Sequence, residues 1–248
     1  MGTYYRVLAA VFAAAADDRK IAESPCRRIK FPRDSAAQSA LVPLTVAEVV
    51  RLAEAVQDRY RALIVASAGL GLRQGEACGL TVDRVDFLRR TVRIDRQLVT
   101  PEGKNARADF GPLKTAASNR VLELPEVVGR ALARHLAEHE PGPGGLIFTS
   151  AAGEPIKRSL WAIEFRKAAT AVGIDATPHD LRHHAASLLI ASGCSVVAVQ
   201  TFLGHKNAHE TLNTYSHLWP SDSEQRRAAI DAAWSANADT NLTQDSAN

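Results

Sequence analysis

Residues 177–193 read TPHDLRHHAASLLIASG. Thr177 is a capping residue type, Pro178 fits a first helical position because its missing N–H would have no partner there, and Asp180 sets an acid in the first turn. The spacing predicts a helix over 181–192 that stops at Gly193. His179, Arg182 and His183, at i, i+3 and i+4, project from one face of its start.

Toward the C-terminus, Ser195–Leu203, His209–Tyr215 and Ser223–Trp234 read as helices, and Asn237–Asn248 has the composition of a frayed end. Toward the N-terminus, Arg158–Val172 and Glu126–Glu138 are helical, with a loop at Pro141–Gly145. Thr91–Val99 and Asn119–Leu124 are rich in β-formers and are predicted to pair antiparallel across a polar connection carrying Pro101, Gly103, Gly111 and Pro112. Arg61–Ala68 and Arg73–Leu80 read as helices separated by the break Gly69-Leu70-Gly71. The Thr45 hydroxyl and Glu48 carboxylate, three residues apart, form a capping box ahead of apolar periodicity to Val56. The fold class is therefore mainly α with a small antiparallel β-sheet (α+β).

A domain begins at that box. Before it, Ser24-Pro25 and Phe31-Pro32 punctuate the basic residues Arg27, Arg28, Lys30 and Arg33, and residues 34–39 are small and polar, which reads as a linker. Val7–Ala16 is an apolar run after Arg6 with the form of a signal-peptide core. It also has the form of a helix, continued by Asp17–Ile21, with the apolar stripe Tyr4, Leu8, Val11 and Phe12. It is too short to span a membrane. The division expected is a helix in 1–30, a linker in 31–43, the main domain in 44–236 and a flexible tail in 237–248.

The 248 residues are 46% hydrophobic and 23% charged, which excludes disorder over most of the chain. A formal net charge of +3 does not by itself point to nucleic acid, but its distribution does. Between Arg84 and Arg120 nine basic residues stand against four acids, whereas from Asp222 onward two arginines face five acids. The first stretch suits a polyanion and the second does not. Cys26, Cys78 and Cys194 are odd in number and lack CxxC spacing, which argues against a disulfide framework or a cysteine zinc site and fits a reducing cytoplasm.

Three segments hold polar residues that folding alone does not require. In Gly69-Leu70-Gly71-Leu72-Arg73-Gln74-Gly75-Glu76, Arg73 and Glu76 share a helix face and, taken alone, read as an exposed ion pair. His179-Asp180-Leu181-Arg182-His183-His184 is consistent with caps and a solvated face, and with a His/His zinc pair for which no third ligand of suitable spacing is evident. In Leu203-Gly204-His205 followed by Thr211-Leu212-Asn213-Thr214-Tyr215-Ser216-His217, Tyr215 alone reads as an amphipathic core residue.

Together, G-L-R-x-G-E, H-x-L-R-H, L-G-H and the following tyrosine resemble, in order and spacing, the tyrosine recombinases of the phage integrase family. Pro112–Arg120 is similar to the family's hairpin segment that presents a lysine, and the resemblance runs from about Leu41 to Trp234. It implies a tyrosine recombinase catalytic-domain fold and the activity of a site-specific DNA recombinase, an integrase of a phage or mobile element. Carried over by position, it makes Arg73 and Arg182 phosphate-binding arginines, Glu76 the support of the first, and Lys114, His179 and His205 further catalytic groups. Tyr215 becomes the nucleophile, His183 fits as a structural residue, and His184, His209 and His217 are left to surface or packing. The implied partners are double-stranded DNA and other protomers in a tetrameric synapse, with no cofactor, no metal and no membrane. One helix precedes the linker where the family carries a complete core-binding domain, so residues 1–30 read as a remnant of that domain.

These residue types suit such a reaction. An arginine fork binds phosphate oxygens bidentately and stays charged. A tyrosine, with an ordinary pKa of about 10, needs a base, for which His179 is a candidate, and the leaving 5′-oxygen needs an acid, for which Lys114 is a candidate. A phosphotyrosyl link would retain the bond's free energy, so ATP is not called for. A type IB topoisomerase-like relaxing enzyme shares this chemistry and a catalytically silent DNA-binding module shares the surface; both remain open. The stripe Ala229, Ile230, Ala233 and Trp234 could pack on its own domain or on a neighbouring protomer.

Overall fold

The computed structural model describes residues 2–27, 42–99, 108–219, 227–228 and 230–235. They fall in two compact units, Met1–Leu41 and Val42–Asn248. The expected linker 31–43 lies almost wholly, and the expected tail 237–248 wholly, outside the described residues.

In the first unit, α1 (Gly2–Asp17) takes in the apolar run and begins ahead of it. It does not continue to Ile21 as expected, because Arg19 turns left-handed at φ 55° and its N–H bonds back to the Ala16 carbonyl at 3.0 Å. Of the expected stripe, Tyr4, Leu8 and Val11 are exposed. Tyr5, beside that stripe, donates its hydroxyl to the Cys26 carbonyl at 2.8 Å. No helix among the described residues is long and apolar enough to cross a membrane.

The second unit runs α2 (Val46–Ala55), α3 (Asp58–Leu70), α4 (Gln74–Cys78), β1 (Val85–Asp86), β2 (Thr91–Ile94), β3 (Gln97–Val99), β4 (Asp109–Gly111), β5 (Arg120–Glu123), α5 (Glu126–Glu138), α6 (Arg158–Ala171), α7 (Asp180–Ala191), α8 (Val196–Leu203) and α9 (Ala208–Tyr215). The capping box of α2 forms as expected: the Glu48 N–H donates to Thr45 Oγ1 at 3.2 Å and the Thr45 N–H to the Glu48 carboxylate at 2.8 Å. α3 is the central helix, packed against α2, α5 and α7, and its Leu63, Ile64 and Ala66 are wholly buried. Truncating Leu63 to Ala would cost about 2–5 kcal/mol by lost burial and an unfilled cavity.

The predicted antiparallel pair is present as β2 and β5, in the register Val92↔Leu122 and Arg93↔Val121. Val92, Ile94 and Leu122 face the core while Arg93, Val121 and Glu123 are exposed, the alternation a one-sided sheet requires. Two features depart from expectation. The short β1 adds a third strand beside β2. Thr91–Val99 is not one strand: it breaks at Asp95-Arg96, and β3 pairs instead with β4 in a separate hairpin. Both break residues are committed to ion pairs, Asp95 with Arg84 at 2.8 Å and Arg96 with Asp95 at 3.2 Å.

Two helix ends position the cleft. α3 stops at Gly71, φ 58°, where a Cβ would lie 2.8 Å from Phe202. α8 stops at Gly204, φ 67°, where a Cβ would lie 3.0 Å from the Ala117 carbonyl and the Ser118 Cα. Only glycine combines that backbone with that approach. α7 begins at Asp180, one residue before the expected span, and Pro178 lies outside it rather than at a first helical position, in a turn that the Asp180 carboxylate closes by accepting from both the N–H and the hydroxyl of Thr177 at 2.7 Å. Residues 227–228 and 230–235 are helical, with Ile230 and Trp234 exposed; the side chain of Ala229 lies outside the described ones.

Candidate active site

Arg73 caps the N-terminus of α4, and its N–H donates to Glu76 at 3.0 Å. Its guanidinium donates to the Glu76 carboxylate at 3.0 Å, to Ser118 Oγ at 2.8 Å and to the Gly204 carbonyl at 3.1 Å. The Arg73–Glu76 pair is therefore not an exposed ion pair: the Glu76 side chain is 1% exposed. Burial works to raise the Glu76 carboxyl, but the charge and hydrogen bond of Arg120, with those of Arg73, outweigh it and hold the group below the ordinary carboxylate range.

Arg120 is the support that sequence reasoning counted only as a positive charge. It is buried and donates to Glu76 at 3.0 Å, to the Ser118 carbonyl at 2.9 Å and to the Phe202 carbonyl at 2.8 Å. The available signal was strand phase, since Arg120 shares the inward face with Leu122. Arg120 is also one reason the basic stretch is less positive than its composition. Arg84 pairs with Asp83 and Asp95, Arg96 with the same two acids and Arg89 with Asp86. Arg90, Arg93 and Lys114 have no described carboxylate within ion-pair distance, and Lys104 and Arg107 lie outside the described residues.

Arg182, 2% exposed, projects from the first turn of α7. It donates to the Gly71 carbonyl at 2.7 Å and the Leu203 carbonyl at 2.8 Å, at the C-terminal ends of α3 and α8 where the helix dipoles are negative. Burial, then the neighbouring charge of Arg73, lowers its pKa to about 10, which leaves it cationic near neutrality.

Arg73, Lys114, His179, Arg182, His183, His205 and Tyr215 line one cleft of about 800 Å³, with Glu76 beneath Arg73; Arg158 and Glu210 line it as well. Lys114 is exposed, in a bend after β4 rather than on a strand. His205 is buried, with Nδ1 2.8 Å from Thr211 Oγ1 and Nε2 3.8 Å from the Glu210 carboxylate. Burial and the charge of Arg182 lower its pKa to about 4. Tyr215, the last residue of α9, is 1% exposed, and burial pushes its hydroxyl up to about 12 despite the opposing charge of Arg182.

The ring bonded to that hydroxyl is His183, whose Nδ1 lies 2.8 Å from Tyr215 Oη. His179 stands edge-on against His183, ring centroids 4.6 Å apart at 87°, and among the described residues it makes no side-chain hydrogen bond to Tyr215. His184 is buried, with Nδ1 2.6 Å from the Leu44 carbonyl, which ties α7 to the segment before α2. His209 and His217 are exposed. The group of potential metal ligands found among the described residues is Asp58, Glu138 and His139, outside the cleft. Arg61 and Arg134 already pair with its two carboxylates, which disfavours a bound cation.

A helical domain whose cleft sets a tyrosine hydroxyl beside a buried arginine has the fold of a tyrosine recombinase catalytic domain. Residues 43–221 match the phage integrase family, and the chain belongs to it. It is 27% identical to a tyrosine recombinase XerC-like protein of Caldanaerobacter subterraneus subsp. tengcongensis, over 84% of this chain and 60% of that protein. It is 29% identical to a putative prophage phiRv2 integrase of Mycobacterium tuberculosis, over 86% of this chain and 56% of that protein. The chain thus spans 60% or less of the length of these relatives. Its fold is similar to that of the Tn1549 transposon integrase solved with a circular intermediate DNA, with a TM-score of 0.76 at 23% identity, over 94% of this chain and 78% of that one. It is also similar to that of XerA recombinase, with a TM-score of 0.57 at 22% identity, over 93% and 76% of the two chains.

Proposed function

We propose that this chain is the catalytic part of a site-specific DNA recombinase, an integrase, that cuts and rejoins double-stranded DNA through a covalent 3′-phosphotyrosyl link at Tyr215. The observation that carries this reading is Arg182: a buried guanidinium that lines the cleft on carbonyl partners, with no carboxylate within ion-pair distance among the described residues. A buried guanidinium with no carboxylate paired to it directly is costly unless an anion answers it, and a phosphodiester is the anion such a site fits.

Attack on phosphorus adds charge to the non-bridging oxygens, which Arg182 and Arg73 would bind from fixed positions. If the Thr211 hydroxyl donates to His205 Nδ1, the ring proton sits on Nε2, and a neutral imidazole becomes a third donor to the same oxygens. His179 would present a second imidazole on the cleft wall. Lys114, exposed on its bend, would protonate the 5′-oxygen as it leaves. Glu76 acts through Arg73 and touches no substrate; its role is to hold that guanidinium in place. The reaction as written needs no nucleotide, metal or redox cofactor. Partner protomers on DNA, in a tetrameric synapse, would complete the assembly, and the exposed Ile230 and Trp234 favour docking on a neighbour. A cytoplasmic location follows from the DNA substrate.

The test is adduct formation. Incubated with a pool of nicked duplexes carrying a randomised core, the wild-type chain is expected to form a denaturant-resistant protein–DNA adduct, and Tyr215→Phe none. An adduct with Tyr215→Phe would remove Tyr215 from the mechanism.

A further inference from the structure

We propose that His183 is a catalytic residue, the base that takes the Tyr215 proton as the tyrosine attacks phosphorus, with His179 as the residue that positions its ring. The inference rests on the recombinase reading above and deepens it.

The geometry gives His183 the direct contact. Its Nδ1 is 2.8 Å from Oη, within reach for proton transfer without a bridging water. The two rings meet at 67° with centroids 5.5 Å apart, and His179 closes the other side of His183. His179 is the residue just ahead of α7 and His183 leaves its first turn, the Thr177–Asp180 turn fixes the helix start, and Tyr215 sits at the end of α9. The pairing therefore registers one helix against the other at the reacting atom.

The charged and titratable groups around the pair are His179 just ahead of α7, Asp180 and Arg182 on α7, Glu210 on α9 and Arg73 at the start of α4. Burial, with His179 and Arg182, outweighs Asp180 and lowers His183 to about 4, so near neutrality the ring is uncharged and able to accept a proton. Accepting at Nδ1 places its own N–H on Nε2. Tyr215 does not ionise alone; its proton leaves as the Oη–phosphorus bond forms and the oxygen loses its basicity. In that step the proton passes from Oη to His183 Nδ1, the phosphorus–O5′ bond breaks, and O5′ takes a proton from Lys114. In rejoining, the incoming 5′-hydroxyl gives its proton to the Lys114 amine as O5′ attacks phosphorus, the phosphorus–Oη bond breaks, and departing Tyr215 recovers a proton from His183.

The experiment follows single-turnover adduct formation on the nicked pool for wild type, His183→Gln and His183→Gly, with and without added imidazole, across pH. The amide of His183→Gln can keep the hydrogen bond but cannot take up a proton. It is expected to slow cleavage about 100-fold or more, with DNA affinity and thermal unfolding near wild type. The wild-type rate should fall as acid protonates His183, and the glutamine variant should lose that inflection. His183→Gly should regain rate in proportion to the concentration of neutral imidazole, which a merely structural role would not produce. Cleavage by His183→Gln within about threefold of wild type, or no imidazole rescue in a folded His183→Gly, overturns the proposal and leaves the recombinase reading intact. A wild-type chain that forms no adduct overturns both. In the free protein, Tyr215→Phe should shift the His183 ring nitrogen resonances; unchanged resonances would contradict the contact itself.

Discussion

The two halves of the cleft are built on opposite electrostatic principles. Beneath Arg73, the single negative charge of Glu76 answers the two guanidinium groups of Arg73 and Arg120, and carbonyls and Ser118 take up the remaining donors. Around Tyr215 the two imidazoles and the tyrosine hydroxyl are neutral in the resting state: His183 and His205 have depressed pKa values, the tyrosine hydroxyl a raised one, and Nδ1 of each ring has one hydroxyl partner, Tyr215 Oη for His183 and Thr211 Oγ1 for His205. One half is a charged frame tied together by one buried carboxylate, the other a set of titratable groups that we propose act as proton carriers. Arg182 lies where they meet, a charge held by the frame and left for the substrate. Substitutions in the frame should therefore act first on stability, and those among the proton carriers first on rate.

The largest effect on folding is expected from Glu76→Ala. It leaves two guanidinium groups facing each other at a buried position, and loss of one partner of a buried ion pair costs about 3–5 kcal/mol. Denaturant unfolding at neutral pH would register this; a loss under about 1 kcal/mol would mean that the frame is not what holds Arg73 and Arg120.

Acid should then separate the halves. The imidazoles of His183 and His205 take protons near 6.5 when unfolded but only near 4 when folded, so between those values acid favours the unfolded chain and stability falls. Glu76 has a depressed folded pKa, so its contribution is present above 4.5 and is lost as pH falls through its folded value. Unfolding followed across pH should show both, with His205→Gln flattening the upper window only and Glu76→Gln the lower.

Tyr215→Phe should abolish adduct formation while changing stability by about 1 kcal/mol, the worth of one hydrogen bond, because the ring still packs. A much larger loss of stability would place Tyr215 in the frame. The smallest effect is expected from Arg93→Ala on the outer face of the sheet: stability within about 0.5 kcal/mol, and a decrease of about one in the slope of DNA affinity against salt if Arg93 meets a phosphate. An unchanged slope would remove that face from the DNA surface.

Much of this was legible in the sequence because helix caps and motif residues are local. The Thr45–Glu48 box follows from a short spacing, and the motifs that carry Arg73, Arg182, His205 and Tyr215, singled out through the family resemblance, line one cleft in the fold. What escaped was tertiary. Residues on both sides of Asp95-Arg96 are β-formers, with Val92, Ile94 and Leu98 in one phase, and the ion pairs that hold Asp95 and Arg96 form only in the folded chain. Arg120 looked like surface charge until β5 turned it inward onto Glu76. The surplus of positive charge shrank for the same reason, since Asp83, just outside the basic window, folds back against Arg84 and Arg96. His183 and His179 share a face, and the sequence reading puts His179 forward as the candidate base and His183 as structural, whereas in the fold it is His183 that meets Tyr215 on another helix.

Peptide mapping of the DNA adduct tests the central claim most directly. Digestion of the trapped complex followed by mass spectrometry should find the nucleotide on Tyr215, joined through a 3′-phosphate, with a free 5′-hydroxyl on the released strand. A nucleotide on any other residue, or a link through a 5′-phosphate, would contradict the account.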